Sequence, residues 1–181
     1  MRRRNATTLF LKECMADALI ELMADKPFDK ITIQEMTDRA KVGRVTYFRN
    51  FSSKHEVLTF KLLRLWTAWA EAHHLPEKGR YSLDQAKIFF AFIYSIRDLN
   101  RLIYQANLQT TMYDAFYQIM RLPANTTPLE RYRSRFLSYG LFGLLDEWIQ
   151  RDYPEPPEEL ANMVIHEILQ KNPLTIYSNA T

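Results

Sequence analysis

Between residues 7 and 25 the apolar side chains Leu11, Met15, Ala18, Leu19, Leu22 and Met23 recur at spacings of three and four. That spacing gathers them on one stripe of an α-helix, which Pro27 cannot continue. The next segment is short and well punctuated. Thr32 and Glu35 stand as a capping box, with Ile31 and Met36 at the positions of a hydrophobic staple. This predicts a helix over 31–40 with Ile33, Met36 and Ala40 on one face. Lys41-Val42-Gly43 reads as a tight connection in which Val42 can anchor in the core, and Gly43 is an acceptable cap for a further helix over 44–50. Ser53 and Glu56 make a second capping box, opening a helix that runs to about His74 and is ended by Pro76 and Gly79.

The remaining pattern predicts helices at about 82–98, 99–108, 110–121, 129–151 and 157–171, with breaks at Leu122–Pro128 and Tyr153–Pro157. Pro157 suits a first helical turn, and Glu158 and Glu159 complement the helix dipole there. No strand-like alternation of useful length, internal repeat or low-complexity segment interrupts this reading, so the expected fold is all-α. Two short helices joined by a tight turn, braced by the first helix and followed by a long one, describe a helix-turn-helix unit. The expected division is a helix-turn-helix domain over residues 1–56 and a helical domain over 57–181.

Composition narrows the class. The chain has 181 residues, 47% of them hydrophobic and 25% charged, which is ordinary for a folded domain. One cysteine, Cys14, allows neither an intramolecular disulfide nor a cysteine-based zinc site. Arg2-Arg3-Arg4 resembles the charged start of a signal peptide, but Lys12, Glu13, Asp17 and Glu21 interrupt any apolar core behind it. No run approaches the roughly 18 apolar residues that cross a bilayer. A cytoplasmic protein without membrane association is expected.

The formal net charge is +3, uninformative by itself. Its distribution says more: residues 39–56 carry Arg39, Lys41, Arg44, Arg49 and Lys54 against Glu56 alone. Such a cluster is either an electrostatic footprint for phosphate or a solvated basic face. Within it, residues 44–50 set Arg44, Thr46, Arg49 and Asn50 beside Val45, Tyr47 and Phe48, with Phe51 following. A helix that reads a major groove needs both an anchoring face and a donor-bearing one.

Residues 7–60 resemble the DNA-binding domain of the TetR family of tetracycline-repressor-type regulators. The resemblance runs without gaps through Phe28, Ile31-Thr32-Ile33, Ala40, Val42, Thr46 and Phe51-x-Ser53-Lys54-x-Glu56-x-Leu58. Further on, YGLFGLLDEWIQRDYPEPPEELANMV resembles the last two helices of many members. Three positions depart from the family pattern: Lys41 replaces a glycine in a turn that often needs a left-handed residue, Gly43 replaces a Ser or Thr cap, and Phe48 replaces a frequent tyrosine.

The resemblance implies that Arg44, Val45 and Thr46 approach base edges, with Arg44 suited to guanine and Val45 to a thymine methyl. It places Phe48, Arg49 and Asn50 along the groove wall or the phosphates. Lys54 and Thr32, each at a helix start, are expected to meet phosphate, although capping alone also accounts for Thr32. Tyr47 and Phe51 are assigned to the core. Arg2-Arg3-Arg4 is either a minor-groove arm or a solvated tail.

In the family the region after the head encloses an effector pocket. Trp66, Trp69, Phe89, Phe92, Tyr104, Tyr113, Phe116 and Tyr117 are the candidates, for a hydrophobic or aromatic small molecule; ordinary core packing is the other reading of the same aromatics. The resemblance also implies a homodimer whose last two helices pair with those of a second subunit. Phe136, Tyr139, Gly140, Gly143, Leu144, Trp148, Leu160, Val164 and Ile168 are the expected interface.

No glycine-rich phosphate loop, nucleophile elbow or metal cluster is present, and no cofactor is expected. His73 and His74 are adjacent and so point to different helix faces, and His166-Glu167 lacks the second histidine of a zinc-protease helix. The expected function is a non-enzymatic, dimeric transcriptional repressor. It would bind a near-palindromic site in double-stranded DNA and be released by a small effector. The same fold controlled by a protein partner is the alternative.

Overall fold

The computed structural model describes residues 2–75, 83–119 and 127–170, with backbone alone at 2–5, 83–84 and 168–170. Among these residues there are nine α-helices and no strand: α1 (Arg2–Asp25), α2 (Ile33–Arg39), α3 (Arg44–Asn50), α4 (Lys54–Ala72), α5 (Leu83–Ser95), α6 (Arg97–Gln105), α7 (Gln109–Ile119), α8 (Pro128–Gln150) and α9 (Pro157–Met163). A 3-10 turn, Phe28–Lys30, lies between α1 and α2, and α9 runs on as a π-helical stretch, Val164–Gln170. The all-α expectation is met. α1 begins at Arg2 rather than at 7, and the last helix, expected as a single α-helix to 171, changes to π geometry after Met163. Pro76, Gly79 and the greater part of the 122–128 break lie outside the described residues.

The chain divides into two compact units, Met1–Thr67 with Asp98–Gly143 and Ala68–Arg97 with Leu144–Thr181. The boundary expected at 56/57 falls inside the first unit.

In the first unit the stripe of α1 is buried as its spacing requires: Met15, Ala18, Leu19, Leu22 and Met23 all face inward, and α2 and α3 pack on it. Ion pairs fasten the same helix to its neighbours. Arg39 reaches Glu21 at 3.1 Å, Arg64 Nε donates to Glu13 at 2.8 Å, and Lys61 pairs with Asp17. The Lys12 ammonium adds a contact that periodicity cannot reveal, lying 4.8 Å from the Phe51 ring centre and 4.4 Å from that of Phe60.

The second unit is organised by aromatics. Trp148 is 2% exposed, stands edge-on to Phe90 and Tyr153, and donates its indole N–H to the Glu155 carbonyl at 3.0 Å. That bond closes the turn after α8, so the tryptophan both fills the core and sets the path toward α9. α5 packs on α9, with Lys87 and Glu158 paired at 2.6 Å.

Four helices end in the same way. Val42 N–H bonds Thr37 O while Lys41 N–H bonds Asp38 O; the pairs Leu75/His74, Leu108/Asn107 and Tyr153/Asp152 repeat this arrangement at the ends of α4, α6 and α8. These are Schellman motifs. The residue in the left-handed position is never glycine: Lys41, His74, Asn107 and Asp152 have φ of 55°, 52°, 56° and 58°. An apolar residue follows each, and Val42, Leu108 and Tyr153 are buried. Inward packing of that residue offsets a left-handed penalty of about 1 kcal/mol per position. The expected left-handed backbone at Lys41 and the buried Val42 are both found.

Candidate nucleic-acid interface

Thr32 begins the site. Its hydroxyl oxygen accepts from Glu35 N–H at 3.2 Å, and Glu35 accepts from both Thr32 N–H and the Thr32 hydroxyl at 2.8 Å, so the expected capping box is complete. Lys26 also pairs with Glu35, and these donors hold its carboxyl down at about 2, with the lysine contributing most. The staple residues Ile31 and Met36 are buried. The second box is different. Ser53 Oγ accepts from Glu56 N–H at 3.2 Å, but the Glu56 carboxylate takes the N–H of Ser52, at 2.7 Å, instead of that of Ser53.

Gly43 caps α3 with φ −67° and ψ 141°, and no side chain bonds there. From this start the seven residues of α3 separate cleanly. Tyr47 is 1% exposed and, with Phe51, anchors the helix. Arg44, Val45, Phe48 and Arg49 point outward, and the two apolar members are 69% and 60% exposed. The Arg44 guanidinium lies 5.8 Å from the Phe48 ring centre, which orients it along the face. Thr46 and Asn50 are half-buried, and Asn50 Nδ2 donates to the Thr46 carbonyl at 2.7 Å. The helix thus offers two guanidinium groups flanking two apolar contacts, the residue types that recognise base edges and thymine methyls.

Lys54 occupies a different position from the rest. It is half-buried, and its ammonium donates to the carbonyls of Phe28, at 2.6 Å, and Ile31, at 2.7 Å, while lying 4.5 Å from the Phe28 ring centre. Burial pushes its pKa down from the ordinary lysine value. The side chains of Arg2, Arg3 and Arg4 lie outside the described residues.

The eight aromatics expected to line a pocket fall in both units. Trp69, Phe89 and Phe92 belong to the second, where Trp69 donates to Ile88 O at 3.2 Å and stacks on His73 with ring centres 4.3 Å apart. Trp66, Tyr104, Tyr113, Phe116 and Tyr117 belong to the first. There, Arg135 supplies a contact absent from the sequence reading. Its guanidinium lies 3.8 Å from the Tyr117 ring centre and donates to the Tyr113 hydroxyl at 3.2 Å.

The expected partner-facing residues also separate. Phe136 is 71% exposed, Tyr139, Gly140 and Gly143 are exposed with it, and a Cβ added at either glycine would meet open space. Leu129 and Tyr132 extend the same stripe toward the start of α8. By contrast Trp148, Leu160 and Val164 are buried in their own chain, and Leu144 is half-buried. The outward apolar face is therefore narrower than helical periodicity suggests, because the C-terminal part of α8 and α9 use theirs to build the second unit. The Ile168 side chain lies outside the described residues.

Among the described residues no group of three or more His, Cys, Asp and Glu side chains could hold a metal ion, and no helix is long and apolar enough to cross a membrane. A helix-turn-helix at α2 and α3 within an all-α chain is an arrangement that transcriptional regulators use. Residues 82–170 match a TetR-type family model described as the transcriptional regulator C-terminal region. The match supports a TetR-family transcriptional regulator. A search of curated proteins finds no match. The family match falls on the aromatic-rich region, beyond residues 7–60 where the motif resemblance is densest.

Proposed function

We propose that this regulator is a sequence-specific DNA-binding repressor, acting as a homodimer whose two heads occupy successive major grooves of a near-palindromic site. The observation that carries this reading is the division of α3, with Tyr47 inside and Arg44, Val45, Phe48 and Arg49 outside. Arg44, Val45 and Thr46 contact bases; Phe48, Arg49, Asn50 and the start of α2 at Thr32 contact the groove wall and backbone. Residues 1–56 form the DNA-binding domain, and residues 57–181 bind the effector and the second subunit. The exposed stripe from Leu129 through Phe136 to Gly143 supports pairing with a second copy. Operation in the cytoplasm, without cofactor or catalytic activity, completes the reading.

A small hydrophobic or aromatic effector bound among the aromatics of residues 57–181 releases the DNA. It does so by preferring the conformation in which the heads no longer match two grooves, to the extent of its differential affinity. Control by a protein partner is the second reading, for which the exposed apolar residues of α8 would be the docking face, and a regulator that sediments as a monomer alone would bring it forward.

The test is retention of sheared genomic DNA from the source by purified protein at several salt concentrations, followed by sequencing. A few near-palindromic sites, lost on Arg44→Ala, are expected. Retention that lacks sequence preference and collapses with salt would reduce the basic cluster to a non-specific one.

A further inference from the structure

The helix-turn-helix enters through Ile31 and leaves through Ser53, and one side chain touches both ends. Lys54, the first residue of α4, sends its ammonium back across the unit to the carbonyls of Phe28 and Ile31 at 2.6 and 2.7 Å. Ile31 directly precedes Thr32, the cap of α2, and Phe28 opens the 3-10 turn before it. The Phe28 carbonyl also accepts from Ile31 N–H at 3.2 Å, so the lysine joins a turn that is already bonded. The Phe28 ring lies under the ammonium and packs edge-on against His55, the residue after the lysine. Two carbonyls and a ring face thus satisfy a half-buried charge that a phosphate-binding lysine would hold out in water.

Resting on the DNA-binding reading above, we infer that Lys54 is a positioning residue for α3. Its ammonium clamps the entry of the helix-turn-helix to its exit and fixes how α3 is presented, instead of meeting a phosphate. The direction of its pKa shift agrees, since a charge drawn out of water into these contacts is harder to keep.

A clamp and a phosphate contact differ in how they depend on salt. With the preferred site recovered from genomic DNA as probe, and an unrelated duplex of equal length as control, affinities are measured from low to high salt for wild type and Lys54→Met. The clamp predicts a fall of about tenfold for the preferred site, the size of a hydrogen bond to a charged group. It also predicts an unchanged slope of affinity against salt and unchanged control binding. A phosphate contact would lower the slope by about one and weaken both duplexes alike. That result, or a folded Lys54→Met with unaltered affinity for the preferred site, overturns the inference. Lys54→Arg keeps the charge but not a point donor that fits between two carbonyls, and it serves if the methionine variant does not fold: the clamp predicts lost preference, a phosphate contact predicts rescue. Wild-type protein with no preferred site removes the DNA-binding reading and this inference together. A preferred site indifferent to Lys54 removes only the clamp.

Discussion

Tyr113 of α7 lies against Tyr139 of α8 with ring centres 4.6 Å apart and planes inclined by 24°. The first residue was expected in an effector pocket and the second on a face toward a partner subunit, so a single stack belongs to both sets. Arg135 braces it through the Tyr113 hydroxyl and the Tyr117 ring. Tyr113→Leu should destabilise the protein by about 1 kcal/mol beyond the loss of buried area, as measured in urea melts. If the two sets are coupled, the same variant also shifts the dimer dissociation constant, read by sedimentation. A normal dissociation constant would separate them.

The stripe on α8 leads to a paired prediction. Phe136→Asp places a charge where the monomer leaves an apolar ring open, and should weaken self-association by at least about tenfold without lowering monomer stability. Gly140→Ala has room in the monomer and should raise its stability by about 0.5–1 kcal/mol through helix propensity. Gly140→Leu starts from the same open Cβ position, but would obstruct a partner helix. A dimer that tolerates both Phe136→Asp and Gly140→Leu is not built on this face.

Lys41 has its φ at 55° in a turn that closes α2. Lys41→Gly relieves the left-handed penalty but makes the unfolded chain more flexible, leaving a net gain of at most about 0.5 kcal/mol. Thermal unfolding followed by circular dichroism reads it. A loss of stability would show that the lysine side chain makes a contact worth more than its backbone strain.

Glu35 should give the head an acid-sensitive component. Its carboxyl is held at about 2 against an ordinary 4.5 by Lys26 and by the N–H and hydroxyl of Thr32. The folded protein therefore binds this proton less readily than the unfolded chain. The stabilisation is complete above pH 4.5 and is lost as pH falls toward about 2. Because the carboxylate is solvent-exposed, salt should screen the part due to Lys26. Melting temperatures of wild type and Glu35→Gln should differ most above pH 4.5 and converge toward pH 2; a gap independent of pH would exclude the mechanism.

Local chemistry was the legible part of this fold. The range of α3 was readable to the residue because a cap and a tight turn bound it, and the Thr32–Glu35 box was readable because both partners lie within one helical turn. The second box was half readable: Ser53 caps as expected, but the Glu56 carboxylate has two neighbouring N–H groups within reach and takes the one on Ser52. The left-handed helix ends at His74, Asn107 and Asp152 were obscured because glycine is the usual signal, although the apolar residue after each was present to be read. Lys54 was illegible as a clamp because its partners lie 23 and 26 positions away. Trp148, Leu160 and Val164 have a periodicity that fits a core or an interface equally well, and only three-dimensional packing separates the two.

The engagement of Lys54 bears on how this regulator would find its target. With Arg39 paired to Glu21 and Lys54 turned inward, Lys41, Arg44 and Arg49 are the exposed members of the basic cluster not held by those contacts. On the proposed reading, a cluster from which Arg39 and Lys54 are withdrawn adds less grip on arbitrary duplex than its five cations would, and lets the protein leave it sooner. A genome presents roughly 10⁶–10⁹ such competing stretches, so brief residence on each keeps more of the protein available for the preferred site. Turning one lysine inward thus favours discrimination over grip.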